Sequence, residues 1–292
     1  MEGFTYYQLT NWSACDQAIY QQDVVIHRTT GTAYQETVGG LYEIHFFVGT
    51  NCKEDYGDVR FTDAAGNVLA YYLWPDYTSS SARFTVRLDG ADSDGALGIW
   101  YGNPALVTTS DGDATYVFFD DYSDPTTLTN YTELWDTTTW GAGHNLYYRE
   151  IVDGKLHIGW DGAHYGSALL YANCPLSNGQ YRIEAMFQAT GTVSDNRHQK
   201  EIGLTTIVTP KYDSMGSADP EFPGFWGTAI VMPGNVGQTA PVGSTGYAEY
   251  ILDQNIRYPG IWIQDVSSTT FASEIWIDYI LVRSEERRVG KE

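Results

Sequence analysis

The sequence predicts an all-β protein built as two β-sandwich domains, and three observations predict it. Of 292 residues, 15% are aromatic, with 23 Tyr and 9 Trp, and 30 are Gly. Strands and tight turns accommodate that mixture better than helices do. The apolar residues fall in short runs of strand length parted by turn chemistry, and no stretch keeps a helical period over three turns. A hydrophobic content of 42% over this length supplies one large or two ordinary cores, which excludes an intrinsically disordered chain.

The elements follow in order. The first part carries the runs Asp23–His27, Tyr42–Val48, Val59–Thr62, Val68–Leu73 and Arg83–Leu88. Ala64-Ala65-Gly66-Asn67 sits between two of them as a hairpin loop, and Asp92–Gly95 and Ser110–Asp113 read as further turns. The polar, Gly-containing stretch 108–114 is the candidate linker, so the expected division is 1–113, 114–282 and a tail, 283–292. In the second part nine runs recur: 116–119, 155–160, 168–171, 181–188, 201–208, 226–232, 247–252, 260–264 and 274–282. Their alternation suits a β-sandwich. The stretch 209–224, with Pro210, Pro220 and Pro223, reads as a long loop of the kind that carries binding surfaces. Asp58 and Arg60, two apart on one strand, are expected to form a local ion pair.

Charge narrows the function classes. A net charge of −21 would be repelled by a phosphate backbone, so a nucleic-acid partner is excluded. Such an acidic, Lys-poor surface suits salty or extracellular settings. No window approaches the roughly 18 apolar residues of a membrane span, and Met1–Tyr7, with no basic residue before Arg28, does not read as a signal peptide. Cys15, Cys52 and Cys174 show no metal spacing; buried free thiols are the expected state, with a Cys15–Cys52 disulfide the alternative. Zinc-protease, nucleophile-elbow, phosphate-loop and dinucleotide motifs are absent from the sequence.

Two sets of blocks resemble known families. Tyr20–Ile26, Asp58-Val59-Arg60-Phe61-Thr62-Asp63, Tyr101-Gly102-Asn103-Pro104 and Phe118-Phe119-Asp120-Asp121-Tyr122 resemble, in the same order, a domain of unknown function common in microbial surface proteins. That domain is usually followed by a concanavalin A-like lectin/glucanase jelly roll. Phe119-Asp120-Asp121-Tyr122, Leu134-Trp135, Val152–Ile158, Gly179–Ala185 and Ile277–Val282 resemble the hallmarks of that second family. The resemblance implies a jelly roll over 114–282. The last ten residues, Arg283-Ser284-Glu285-Glu286-Arg287-Arg288-Val289-Gly290-Lys291-Glu292, resemble the translation of a common short-read sequencing adapter. An assembly artefact from an environmental source is expected there, which leaves open whether the natural chain continues past Val282.

Glucanases of the jelly-roll family cleave with Glu-x-Asp-x-x-Glu on one strand. On the matching strand this chain reads Glu201-Ile202-Gly203-Leu204-Thr205-Thr206, so only the first carboxylate remains and no catalytic residue is assigned. Sugar rings present apolar C–H faces between hydroxyls, so a binding site needs an aromatic platform beside polar side chains. Trp160, Asp161, His164 and Tyr165 supply such a set at one strand end and loop; Arg197, Glu201, Trp226 and Trp262 are the other candidates, each Trp having a core role as its alternative. The family resemblance further implies one structural calcium on Asp278, with Asp120, Asp121 and Gly154 nearby.

The expectation is a non-catalytic extracellular or surface protein that binds a polysaccharide or cell-surface glycan, without membrane insertion. One alternative is a self-associating component of a filament or virion with no sugar ligand. The other is a polysaccharide hydrolase or lyase.

Overall fold

The protein is described from a computed structural model covering residues 3–11, 19–38, 41–89, 96–135, 147–160, 165–191, 199–206, 229–231, 240–252, 254–266 and 273–284. It divides into two compact units, one of residues 1–117 with 283–292 and one of residues 118–282. Both are built almost wholly of β-strands.

The first unit contains β1 (Tyr6–Asn11), β2 (Ile19–His27), β3 (Tyr34–Val38), β4 (Leu41–Phe47), β5 (Arg60–Thr62), β6 (Tyr71–Leu73), β7 (Ser81–Asp89) and β8 (Ala96–Tyr101). One sheet runs β1-β8-β5 and the other β3-β4-β2-β7-β6, with β2 and β4 parallel and the other pairs antiparallel. Side chains alternate across a strand, so one face of the larger sheet becomes core. Val24, Ile26, Ile44, Phe46, Phe84 and Val86 are at most 2% exposed. Phe84 meets Phe61 of the smaller sheet edge-on, with ring centroids 5.2 Å apart. Burying each such side chain contributes about 1.5–3 kcal/mol.

Strands β1, β3 and β8 lie outside the expected runs, for identifiable reasons. β3 is exposed at every position, so it has no apolar alternation. β8 has Gly98 in its interior, which weakens a strand signal, yet a Cβ there would come within 2.5 Å of Thr62 Oγ1 and 2.7 Å of the Tyr7 ring. Only glycine lets that ring lie across the strand.

The expected Asp58–Arg60 pair does not form. Asp58 accepts from the Lys53 and Gly102 backbone N–H groups at 3.0 and 2.8 Å. Arg60 donates instead to the carbonyls of Gly57, Val59 and Val107 and to Tyr71 Oη. Both side chains are buried, and closing loops serves them better than pairing along one strand. The stretch read as a linker is fastened to the same unit: Ser110 Oγ accepts from Leu73 N, Tyr71 Oη accepts from Thr109 N, and Asp111 caps a short helix at Gly112–Thr115. Cys52 is a free thiol, pushed up to about 11 by burial; Cys15 lies outside the described residues.

The second unit contains β9 (Phe118–Asp120), β10 (Tyr131–Trp135), β11 (Tyr147–Val152), β12 (Lys155–Trp160), β13 (Tyr165–Ala172), β14 (Gly179–Gly191), β15 (Gln199–Thr205), β16 (Ile230–Val231), β17 (Ala240–Leu252), β18 (Tyr258–Val266) and β19 (Ser273–Ser284). One sheet runs β10-β13-β18-β15-β16, the other β11-β12-β19-β14-β17 with β9 beside β19. Leu156, Ile158, Ile183, Ile275 and Ile277 of one sheet and Leu170, Ile202, Leu204 and Ile261 of the other are at most 1% exposed. No helix among the described residues is long and apolar enough to cross a membrane.

The final two described residues return to the first unit. Arg283, the first residue of the charged tail, is 3% exposed and donates through Nη1 to Asp23 Oδ2 at 2.9 Å and through Nη2 to Gln21 O at 3.0 Å. Ser284 N donates to Gln21 Oε1 at 2.9 Å. The ordered fold therefore extends through Ser284, two residues past the expected end at Val282; residues 285–292 lie outside the described residues.

Candidate functional site

The site builds from two neighbouring strands of the second unit. β15 and β18 are antiparallel with Glu201 opposite Trp262, Gly203 opposite Gly260 and Thr205 opposite Tyr258. On the far side of β18, Leu169 of β13 stands opposite Trp262 and Tyr171 opposite Gly260. Directly opposed residues share a face, and alternate residues of one strand do too. Glu201, Trp262, Leu169, Tyr171 and Tyr258 therefore occupy one side of the sheet, opposite to Ile202, Leu204 and Ile261. At the Gly203–Gly260 pair the neighbouring side chains close in: a Cβ on Gly260 would come within 2.8 Å of Thr205 Cγ2 and 3.4 Å of Leu169 Cδ1.

Two of the expected binding residues, Glu201 and Trp262, meet here although 61 positions apart in sequence. Trp262 does not serve as an exposed stacking platform, however. Its indole is 2% exposed and packs into a cluster with Leu169 and Tyr171, against which Leu134, Ala229 and Tyr258 also pack. Burial of that much apolar ring area is its own driving force, so Trp262 is the floor of the face. Tyr258 is only half-buried, and its ring meets Tyr171 at 5.4 Å and 63°. Tyr171 and Tyr258 escaped the sequence reading because an aromatic residue in an alternating run signals strand before it signals site.

Glu201 is largely buried, and that desolvation pushes its carboxyl up to about 7. Near neutral pH the group spends much of its time protonated, able both to donate and to accept a hydrogen bond. Tyr250 is pushed up to about 12, first by burial and then by the Glu201 charge. Opposite Glu201 the register places Trp262 on one side and Val231 on the other. Glycoside hydrolysis needs a second carboxyl about 5–9.5 Å away, and neither of Glu201's directly opposed residues is acidic.

The remaining expected residues are placed as follows. Trp160 ends β12, opposite Ser273 in the other sheet, and Tyr165 begins β13, opposite Val266. Asp161, His164, Arg197 and Trp226 lie outside the described residues. Of the expected calcium ligands, Asp120 already accepts from Tyr122 N, Thr127 Oγ1 and Tyr131 Oη at 2.9, 2.7 and 3.0 Å. Asp121 accepts from Ser123 N at 3.0 Å, and Asp278 pairs with Lys155 Nζ at 2.5 Å. Gly154 is at the tip of the β11–β12 hairpin, where it and Asp153 both have positive φ, 71° and 52°, as a type I′ turn requires.

Residues 55–142 match the domain of unknown function DUF2341, a span that contains the Asp58–Asp63, Tyr101–Pro104 and Phe118–Tyr122 blocks. No curated protein matches the chain. Among solved structures, a mutant family 29 carbohydrate-binding module is 15% identical and covers 57% of this chain and 82% of its own, at a TM-score of 0.28. The tandem CBM22-1–CBM22-2 domains of Paenibacillus barcinonensis Xyn10C are 12% identical over 91% of this chain and 78% of theirs, at 0.34. Latent PorU of Porphyromonas gingivalis is 9% identical over 94% of this chain and 26% of its own, at 0.23.

Proposed function

We propose that the protein is a non-catalytic, extracellular or cell-surface glycan-binding protein, adhesive through its second unit. The observation that supports this is the face formed by β13, β18 and β15. Tyr258 and Glu201, both partly exposed, flank a buried floor of Trp262 and Tyr171. Tyr258 would take the C–H face of a sugar ring and Glu201 its hydroxyls, while the buried floor keeps both in place. With Val231 and Trp262 as its directly opposed neighbours, Glu201 can bind a polyol without an acidic partner across the ladder. The acidic, Lys-poor surface fits an extracellular setting.

A glycan array followed by calorimetry on the best hit tests the reading. Tyr258→Ala and Glu201→Gln should each weaken binding about tenfold, equivalent to about 1.4 kcal/mol, with circular dichroism unchanged. A negative array together with ordered polymers in the electron microscope would overturn it in favour of the filament alternative. Reducing-sugar release that vanishes in Glu201→Gln would overturn it in favour of a hydrolase.

A further inference from the structure

A second constellation, independent of the glycan face, lies on the outer side of the five-stranded sheet of the first unit. Glu43 and His45 are two apart on β4 and so project to one side, opposite to the core residues Ile44 and Phe46. Across the β3–β4 ladder Glu36 stands opposite Glu43 and Tyr34 opposite His45. His27 of β2 reaches in from the other flank, with Nε2 2.9 Å from His45 Nδ1. Tyr34 stacks on the His45 ring at 4.3 Å and 7°, and His27 in turn stacks on Phe47 at 4.7 Å. These rings leave His45 only 5% exposed although it is on the face turned from the core.

His45 Nε2 is buried and aimed between two carboxylates. Glu36 Oε1 is 2.9 Å away and Glu43 Oε2 3.6 Å away. Those separations bracket the roughly 3.3 Å expected between tetrahedral ligands that each stand about 2.0–2.1 Å from one zinc ion. The three ligand atoms lie within 4.8 Å of one another, and they form the one such group among the described residues. The surroundings supply what a metal-bound imidazole needs. With His45 Nδ1–H donating to His27 Nε2, the Nε2 lone pair points at the carboxylates, and the second histidine fixes both tautomer and ring plane. The arginines whose charge reaches Glu43 are engaged elsewhere: Arg83 lies over the Trp74 ring at 4.0 Å, and Arg283 pairs with Asp23. Glu36 is exposed, which gives an ion a way in.

We infer that Glu36, Glu43 and His45 form a site for a divalent first-row transition ion, zinc being the one whose mixed nitrogen and oxygen preference fits best, with His27 as its positioning residue. Three protein ligands leave a fourth position open to water or to a polar group of a partner.

Titration of the chelator-treated full chain with zinc, followed by calorimetry, and with cobalt(II), followed by its visible absorption, tests this. One saturable site is expected, with a cobalt spectrum of low symmetry. Glu36→Gln, an exposed substitution that leaves the sheet intact by circular dichroism, should weaken zinc binding at least tenfold, and His45→Gln should abolish it. His27→Phe, which keeps an aromatic ring in the stack, should weaken binding by about 10–100-fold through lost orientation. No saturable binding to the intact chain, or equal affinity in the intact chain and Glu36→Gln, would overturn the assignment. Glycan binding can fail without affecting this result, because the two sites share no residue.

Discussion

Glu201 and Asp23 show how burial treats carboxylates that find, or lack, a cationic partner. Desolvation raises the Glu201 carboxyl from its ordinary 4.5 to about 7. The folded state then holds more protons than the unfolded chain between those two values, and stability falls as pH rises across that window, by about 3 kcal/mol in full. Glu201→Gln should match the parent protein in urea denaturation near pH 4 and exceed it by up to about 3 kcal/mol above pH 8. A constant difference at both pH values would show that burial does not govern this carboxyl. Asp23 is instead fully satisfied: Oδ1 accepts from Thr85 Oγ1 at 2.7 Å and Oδ2 from Arg283 at 2.9 Å, with both charged side chains 4% exposed. Arg283→Met would leave a buried, unpaired carboxylate and should cost about 3–5 kcal/mol. Adding Asp23→Leu to it should recover most of that loss, because the buried charge is then gone; a double-mutant cycle measures this.

At the scale of elements, the pairing of β1 with β8 depends on one small residue. The Tyr7 ring crosses β8 at Gly98 and meets Trp100 at 4.4 Å, and Trp100 Nε1 donates to Thr62 Oγ1 at 3.1 Å. Gly98→Ala puts a methyl group into both the ring and the hydroxyl. The expected cost is about 1–3 kcal/mol from overpacking, seen as a lower melting temperature and as faster amide exchange in β1 than in β4. Uniform loss of protection across the sheet would count against this local account. The same glycine weakens the strand signal of β8, since a bare central position leaves nothing to alternate. The short helix at Gly112–Thr115 was legible as turn chemistry, because Asp111 has the composition of a helix cap as well as of a turn. That it belongs with the first unit depended on contacts to Tyr71 and Leu73, which no local pattern carries.

For the whole molecule, the tail divides into a folded start and residues beyond it. Removing 283–292 deletes Arg283 and its pair with Asp23, so the melting temperature should drop by several degrees, about as much as in Arg283→Met. Removing 285–292 alone should leave it unchanged if those residues are adapter translation, because an undocked terminus contributes little. Equal losses in both truncations would show a folded role beyond Ser284. What the sequence by itself determined is the all-β class and most of the strand positions, since alternation and turn residues are properties of neighbours along the chain. Tertiary structure alone decided which residues meet. It sank Trp262 into the floor beside Glu201, unpaired Asp58 from Arg60, set Arg283 against Asp23 across 260 positions, and drew Glu36, Glu43, His45 and His27 onto one face of a sheet. Register between strands fixes each of these meetings, and register depends on how two distant segments bury their apolar faces together, a quantity that neither segment contains alone.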